Sequence, residues 1–418
     1  MRIPLPTRAR RVSLFLASIL IAGVYCGFTL AEFLAAHFSQ TADRLSLQRA
    51  IYLQPGNADF QYRLGRYFWL VERSPETAVQ SYRAAVSLNP RKARYWFDLA
   101  AVYQFLGDTA GQKDALEHAI VADPTTPDVA WEAANLYLVQ GETDKALREF
   151  RIVLANDPYL PPAALQLCWR VKPDVDALLQ DVVPPNAHVS FLDLLVSKKE
   201  TAGAAKVWAQ LAQLRQPIET RYVFDYMRYL IGQREVDQAN LVWQQSAILC
   251  GLSAYQQSAK NLVINGDFSL TVLNGGFDWL YHPSNGVALA IDPTQFHDGH
   301  RSLLISFDTD KRGIEDVGVR QLIPVQPNSA YNFSAYFRSE NIEGAGGPRF
   351  AIQDLYSETT YFASDPLKDA DSWQEVNGTF TTGADTKLLV LRVQRFPADR
   401  PIKGKLWIDG VRLVPAEP

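Results

Sequence analysis

The chain has 418 residues, of which 47% are hydrophobic and 21% charged, and its formal net charge is −4. This composition excludes a largely disordered chain, and the length predicts about two or three domains. The mildly acidic balance provides no electrostatic attraction to nucleic acid, so we expect no nucleic-acid partner. Three cysteines cannot form the disulfide framework of a small secreted scaffold.

The N-terminus combines positive charge with a long apolar stretch. Residues 1–11 contain four arginines and no acidic residue. Behind them, residues 12–31 include no charged side chain, which is enough for a helix about 30 Å long, the thickness of the hydrocarbon layer of a bilayer. Since positive flanks stay in the cytoplasm, we predict a cytoplasmic tip at 1–11 and a transmembrane helix at 12–36. All later residues would lie outside the cytoplasm, anchored to the inner (cytoplasmic) membrane by a single span.

A cleavable signal peptide is the alternative interpretation of this segment. Leu34, Ala35 and Ala36 resemble a cleavage site, but the apolar region of a signal peptide usually spans only about 7–15 residues. The length therefore favours a retained anchor. Under both interpretations the bulk of the chain is exported to the periplasm or an equivalent extracytoplasmic space.

Prolines recur at a fixed spacing after the anchor. Pro90, Pro124 and Pro158 are 34 residues apart, and Pro55 precedes Pro90 by 35. A period in this range is typical of stacked helical hairpins, in which a proline ends the second helix of each pair.

The units between these prolines share small and apolar residues at matching offsets. The residues are Leu64, Gly65, Ala78, Tyr82 and Ala85 in the first unit, Trp96, Leu99, Ala100, Tyr103, Leu116 and Ala119 in the second, and Ala133, Ala134, Tyr137, Ala146, Phe150 and Val153 in the third. This pattern resembles the tetratricopeptide repeat over residues 57–160, with a half unit before Pro55. Helical spacing continues to residue 251, so we predict one all-α superhelical solenoid over 37–258.

The resemblance implies a binding groove. In tetratricopeptide proteins the first helix of each pair lines a concave surface, and most proteins of this kind bind partners rather than carry out chemistry. Carried over by position, the surface includes Tyr62, Arg66, Trp69, Arg94, Phe97, Gln104, Phe105, Asp128, Trp131 and Asn135. Mixed aromatic, arginine and amide side chains suit a protein partner.

Near Lys260 helical spacing gives way to alternation. The odd-numbered residues of 331–338 are Tyr, Phe, Ala and Phe, and further on Leu391 and Val393 alternate with Arg392 and Gln394. Strands that alternate in this way are buried on one face only. They predict an all-β sandwich over residues 259–418.

A series of landmarks in this region carries a second resemblance. In chain order the landmarks are 261–268 (NLVINGDF), 276–279 (GFDW), 298–303 (DGHRSL), 319–325 (VRQLIPV), 373–376 (WQEV) and 406–411 (LWIDGV). Together they are similar to carbohydrate-binding modules of the family 4 and 9 type, which have a galactose-binding-like β-jelly-roll fold. The resemblance covers nearly all of residues 261–418 and implies a jelly roll that binds a glycan.

This second resemblance implies two sites. A glycan would contact side chains on the concave sheet, namely Tyr336, Arg338, Arg349, Gln353, Arg392 and Gln394. A structural calcium ion would lie where the opening segment meets the last strand, held by Asp267, Asp298 and Asp409. Carboxylate oxygens from separate strands suit Ca²⁺, and no other cofactor is expected.

No catalytic motif is present in the sequence. It contains no Gly-x-Ser-x-Gly elbow, phosphate loop or dinucleotide fingerprint, so we predict a non-enzymatic protein. The favoured hypothesis is a membrane-anchored scaffold of the bacterial cell envelope that binds a protein through the solenoid and a glycan through the jelly roll, in polysaccharide assembly or export. The alternatives are a scaffold that binds proteins only and a glycan-active enzyme with an unrecognised site.

Overall fold

The structure, a computed structural model, describes residues 8–41, 43–282, 286–309, 316–344, 347–398 and 401–416. Within these ranges, fourteen α-helices are followed by ten β-strands, as the sequence predicted. The chain divides into two compact units, Met1–Leu194 and Leu195–Pro418. Residues 1–7 of the predicted cytoplasmic tip lie outside the described part.

The helices account for most of the chain before residue 250. Their bounds are α1 (Arg8–Gln40), α2 (Arg44–Leu53), α3 (Ala58–Leu70), α4 (Pro75–Leu88), α5 (Ala93–Leu106), α6 (Thr109–Ala122), α7 (Pro127–Val139), α8 (Thr143–Asn156), α9 (Pro161–Val171), α10 (Val175–Asp181), α11 (His188–Lys198), α12 (Thr201–Leu214), α13 (Thr220–Gly232) and α14 (Val236–Leu249). The first of them is long and apolar enough to cross a membrane, by length and composition.

The proline frame predicted from the sequence is confirmed. Helices α2, α4, α6 and α8 each end two residues before a proline of the series, at Leu53, Leu88, Ala122 and Asn156. A proline lacks the N–H that a continuing helix requires and disfavours helical geometry in the residue before it. The following helices begin at capping side chains where the sequence provides them, such as Asn57, whose Oδ1 accepts from the Asp59 N–H at 3.0 Å.

Small residues allow the paired helices to approach closely. A Cβ atom added to Gly65 of α3 would lie 2.8 Å from the ring of Tyr82 on α4, closer than real Cβ contacts. Ala100 and Ala134 occupy the matching offset in the next two units and are also fully buried. The small residues that the repeat pattern singled out are therefore packing positions.

The apolar N-terminal helix continues without a break into the first unit. Its last turns reach α2 and α3, where Ala35, Ala50 and Phe60 form a small buried core. The half unit predicted before Pro55 is thus present as α2, and α1 is the helix that packs against it.

The β-strands form two five-stranded antiparallel sheets. Their bounds are β1 (Leu280–Tyr281), β2 (Val287–Asp292), β3 (Ser302–Thr309), β4 (Asp316–Pro324), β5 (Ala330–Glu343), β6 (Gly347–Asp354), β7 (Thr360–Ala363), β8 (Gln374–Thr381), β9 (Leu388–Phe396) and β10 (Ile402–Pro415). Sheet A has the strand order β1-β4-β9-β6-β7, and sheet B has the order β2-β3-β10-β5-β8. This arrangement confirms the predicted jelly-roll sandwich.

Alternating apolar side chains fill the space between the two sheets. The odd-numbered residues of β5 from 331 to 337 and those of β9 from 389 to 393 belong to one buried core. Their even-numbered neighbours, including Arg392 and Arg338, lie on the opposite faces of the strands. Each sheet therefore presents its own outward surface.

Side-chain amides fasten the segment before β1 to both sheets. The Asn261 Oδ1 atom accepts from the backbone N–H groups of Val263 and Leu413, both at 3.0 Å. The buried Gln321 amide accepts from the Ile264 N–H at 3.0 Å and donates to the Ile264 carbonyl at 2.8 Å. The first landmark of the sequence thus bridges β10 of sheet B and β4 of sheet A.

In the second unit the last helices pack directly on the sandwich. The Trp243 ring of α14 is buried, and its centroid lies 5.9 Å from that of Phe277. The Tyr356 hydroxyl donates to the Ile231 carbonyl of α13 at 2.8 Å. Because of these contacts, α12–α14 belong to the same compact unit as the sandwich. The helical spacing of the sequence had instead assigned them to the solenoid, with a domain boundary at 258/259.

Candidate binding surfaces

The six predicted glycan contacts lie on two different sheets. Arg349 and Gln353 belong to β6 and Arg392 and Gln394 to β9, which are neighbouring strands of sheet A. Tyr336 and Arg338 belong to β5, in sheet B. The prediction of one shared sheet face is therefore wrong, because the outward faces of the two sheets point away from the common core in opposite directions.

The four residues on sheet A form a hydrogen-bonded set. Arg392 donates through Nη2 to the Oε1 atom of Gln353. Arg349 donates to the Oε1 atom of Gln394 from Nε at 3.3 Å and from Nη2 at 3.2 Å. Neutral amide oxygens thus orient both guanidinium groups.

Two further residues of this surface were missed from the sequence. Arg320 of β4 is exposed and pairs in register with Arg392. Phe396 at the end of β9 is 54% exposed, and the guanidinium carbon of Arg349 lies 3.9 Å from its ring centroid. Both follow the alternation that located Arg392, so counting in steps of two could have found them. The surface, termed the arginine face, consists of Arg320, Arg349, Gln353, Arg392 and Phe396. The predicted contact Gln394 is only 1% exposed, so it positions Arg349 from below and is not available to a ligand.

Tyr336 and Arg338 lie beneath the connection between β2 and β3. The His297 ring stacks on Tyr336 with centroids 3.6 Å apart and planes 12° apart. Arg338 donates to the Gln295 side chain, and its guanidinium carbon lies 5.8 Å from the Trp407 ring centroid. These two predicted contacts are partly covered by their own chain, which makes them a weaker ligand surface than the arginine face.

The predicted calcium ligands are engaged in internal contacts. The Asp409 carboxylate accepts from three backbone N–H groups, those of His297 at 2.6 Å, residue 298 at 2.8 Å and residue 410 at 2.7 Å. Asp298 pairs with the Arg412 guanidinium at 2.9 Å, and Asp267 accepts from the Ser269 hydroxyl at 2.7 Å. Among the described residues no three His, Cys, Asp or Glu side chains are placed to hold a metal ion. An arginine paired with Asp298 and three backbone N–H groups directed at Asp409 do not fit the predicted calcium site.

The predicted groove of the solenoid contains a polar network across three helices. The Tyr62 hydroxyl of α3 donates to Asp98 of α5 at 2.8 Å. The Arg94 guanidinium lies 3.3 Å from Asp98 and 3.0 Å from Glu132 of α7. Burial raises the pKa of Glu132, and the Arg94 charge opposes that rise. The network links the first helices of three consecutive pairs.

The other predicted groove residues differ in exposure. Tyr62 and Phe97 are buried, and Trp69, Trp131 and Asn135 are partly buried. The accessible members are all exposed: Arg66, Arg94, Gln104, Phe105 and Asp128. The ring of Phe105 meets that of Trp69 edge-on at 5.1 Å. The buried members serve the core of the repeats, and the exposed ones remain candidates for partner contact.

An exposed apolar row was only partly found from the sequence. Leu70, Phe105 and Val139 are 57%, 69% and 71% exposed, respectively. They stand at one offset in three successive units, near the ends of α3, α5 and α7, and equivalent positions of stacked repeats line one side of a solenoid. Only Phe105 was predicted, although the repeat offset itself identifies all three. This row is termed the apolar ridge.

Comparisons with known proteins agree with both parts of the architecture. Residues 260–399 match a family described as "Carbohydrate binding domain". The Hsp70-Hsp90 organizing protein 1 of Glycine max is 33% identical over 113 residues, 27% of this chain and 19% of that protein. The corresponding protein of Triticum aestivum is 31% identical over the same length.

Two solved structures align with parts of this chain. A CBM4 structure aligns with 37% of this chain and 99% of its own length, at 15% identity and a TM-score of 0.28. The MamA structure aligns with 38% of this chain and 87% of its own length, at 20% identity and a TM-score of 0.28. The chain combines a tetratricopeptide-type helical region with a carbohydrate-binding-type jelly roll, and it spans about a fifth of the length of the curated relatives it matches.

Proposed function

We propose that this protein is a membrane-anchored, non-enzymatic scaffold of the bacterial cell envelope. It holds a glycan on the arginine face and a protein partner on the solenoid, and it acts in the assembly or export of a polysaccharide. The observation that carries this proposal is the arginine face, which lies in the part of the chain that matches a carbohydrate binding domain. Two modest binding surfaces on one membrane-bound chain raise the effective concentration of their ligands for each other.

The chemistry of the arginine face suits a sugar polymer. Guanidinium and amide N–H groups donate to hydroxyl or carboxylate oxygens, and the exposed Phe396 ring offers an apolar surface beside them. Gln353 and Gln394 hold the arginines through neutral oxygens, so the donors are oriented before a ligand arrives. Such preorganisation lowers the entropic cost of binding.

In affinity electrophoresis, we expect the full chain in detergent to migrate more slowly through gels that contain a polysaccharide to which it binds. Gln353→Ala and Phe396→Ala should each weaken binding about tenfold, because each removes one oriented contact of about 1.4 kcal/mol. Thr379→Ala, at an exposed position of β8 on sheet B, is the matched control and should change nothing. If the folded chain binds no member of a panel of neutral and acidic polysaccharides, the glycan-binding proposal is contradicted, and the alternative of a scaffold that binds proteins only is favoured.

The apolar ridge supports the proposed protein partner. Its three side chains are exposed in successive units, and an exposed apolar row of this kind is typical of a protein interface. The Tyr62–Asp98–Arg94–Glu132 network connects α3, α5 and α7, the helices that present this row.

A photo-crosslinking amino acid at Phe105 should give a discrete covalent adduct in cells that produce the full chain. The same amino acid at Val121, which is equally accessible on α6, should give none, because α6 is the second helix of its pair. Identical adduct patterns from the two positions would contradict a partner site on the ridge.

The packing of α1 supports a retained anchor. A cut after Ala36 would fall within the helix and remove Ala35 from its buried contact with Ala50 and Phe60. The apolar segment and the solenoid are therefore parts of one folded unit, with the solenoid next to the membrane. Mass spectrometry of the mature protein should find residues 1–36 still attached, and a mature N-terminus at His37 would contradict a retained anchor.

A further inference from the structure

The arginine face concentrates positive charge in a part of the chain that is otherwise acidic. Residues 261–418 contain 14 Lys and Arg against 20 Asp and Glu, a net charge of −6. Yet Arg320 and Arg392 stand directly opposite each other on β4 and β9, and Arg349 is on the next strand, β6, opposite Gln394. Like charges at directly opposed strand positions destabilise a sheet, so stability does not account for this placement.

Nothing described around these three arginines neutralises them. Arg349 and Arg392 donate to the neutral amide oxygens of Gln394 and Gln353, and among the carboxylates whose side chains the structure describes, none lies within ion-pair distance of the three arginines. The Nε atom of Arg392 is buried and has no hydrogen-bond partner among those residues. By contrast, Arg412 of β10 pairs with Asp298 at 2.9 Å. The arginine face thus has donor groups and charge that a ligand could satisfy.

We infer that the arginine face takes an anionic glycan, a polymer of uronic acid residues whose carboxylates meet the guanidinium groups of Arg320 and Arg392. The inference rests on the proposed glycan-binding function and specifies its ligand. Guanidinium groups bind carboxylates through paired, charge-assisted hydrogen bonds, and a carboxylate between two facing arginines would relieve their mutual repulsion.

The surrounding chain favours a sugar polymer over other polyanions. The overall negative charge repels a polyanion that has no specific contacts, which disfavours nucleic acid. The half-buried Gln353, whose amide donates to the Thr360 hydroxyl at 2.9 Å, and the exposed Phe396 ring add a polar group and an apolar surface for a sugar ring beside the charged pair.

The experiment compares polyuronates with their own neutral forms. The full chain in detergent is measured by affinity electrophoresis against polygalacturonate, alginate and hyaluronan, and against the same polymers after reduction of their carboxyl groups. We expect binding to at least one polyuronate and weaker binding to its reduced form. Arg320→Gln and Arg392→Gln should each weaken binding to the polyuronate about tenfold or more, as expected for a lost charge-assisted contact.

Arg412→Gln is the matched control, because this arginine is already paired and lies on β10 of sheet B, and it should leave binding unchanged. Arg320 is exposed, so its variant tests the inference even if the half-buried Arg392 variant fails to fold. If the chain binds a polyuronate and its reduced form equally, and Arg320→Gln changes neither, the inference of an anionic ligand is overturned and the glycan-binding function stays intact. If neither the natural chain nor the Arg320→Gln variant binds any polymer although both are folded, the proposed glycan-binding function is overturned as well.

Discussion

Replacing Gly276 by alanine is expected to lower the free energy of unfolding of the second unit by about 2–5 kcal/mol, because two costs combine. Gly276 has φ +62°, a left-handed conformation that an alanine adopts at a cost of about 1–2 kcal/mol. A Cβ atom at this position would also lie 2.0 Å from the Trp243 ring, which is 1% exposed and cannot move aside without disturbing Phe277 and Phe224. Urea unfolding of the full chain in detergent, followed by circular dichroism, measures the effect.

A double-mutant cycle separates the two costs. Trp243→Ala alone should cost about 3–5 kcal/mol through the cavity it leaves. In that background Gly276→Ala should cost only the backbone part, since its steric partner is gone. Gly251→Ala is the matched control: its φ is +68° and no atom lies within 4 Å of the added methyl group. If Gly276→Ala proved no more harmful than Gly251→Ala, the packing of α14 on the sandwich would be wrong.

The stability of the second unit should also fall as the pH rises through the range in which Asp278 ionises. Asp278 is fully buried; its Oδ2 atom accepts from the Leu273 N–H at 2.7 Å, and its Oδ1 atom has no partner within the described chain. Burial raises the pKa of this carboxyl group from 3.8 to about 6. A raised pKa means that the folded state binds the proton more tightly than the unfolded state does. The stabilisation is complete below about pH 4 and disappears as the pH rises to about 6, a loss of about 3 kcal/mol.

Asp278→Asn removes this titration and keeps an oxygen that can accept from Leu273. The unfolding free energy of the variant relative to the natural chain should therefore increase between pH 4 and pH 7 in urea titrations. Asp237→Asn makes the same change of charge at a side chain that is 82% exposed and paired with Lys387, and it is the matched control for the charge change alone. Parallel pH profiles for the natural chain and Asp278→Asn would contradict the burial of an ionisable group here.

The spacing of prolines and the alternation of apolar residues predicted the helices and strands well, because each pattern arises from residues close together in the sequence. Proline ends a helix wherever it occurs, so the series from Pro55 to Pro158 located four helix ends to within two residues. Alternation likewise identified the core-facing residues of β5 and β9, although Gln394, which alternation placed on the outward face of β9, is buried as well.

The order of strands in the sheets could not be obtained in the same way. β5 pairs with β8 and β10, and β9 pairs with β4 and β6, through contacts between residues far apart in the sequence. Alternation shows that Tyr336 and Arg392 both face outward, and only the pairing shows that they face outward from different sheets. The same limit applies to the predicted calcium ligands, because Arg412 comes close to Asp298 only through the register of the last strand.

Hydroxyl-radical footprinting of the full chain, with and without polygalacturonate, tests most directly that the glycan lies on the arginine face. Phe396 is exposed on that face, whereas Tyr336 and Trp373 lie beside His297 on sheet B, so each surface has aromatic reporters. We expect the polymer to lower the oxidation of Phe396 and to leave Tyr336 and Trp373 unchanged. Protection of Tyr336 and Trp373 with Phe396 unaffected would contradict this placement and assign the glycan to sheet B.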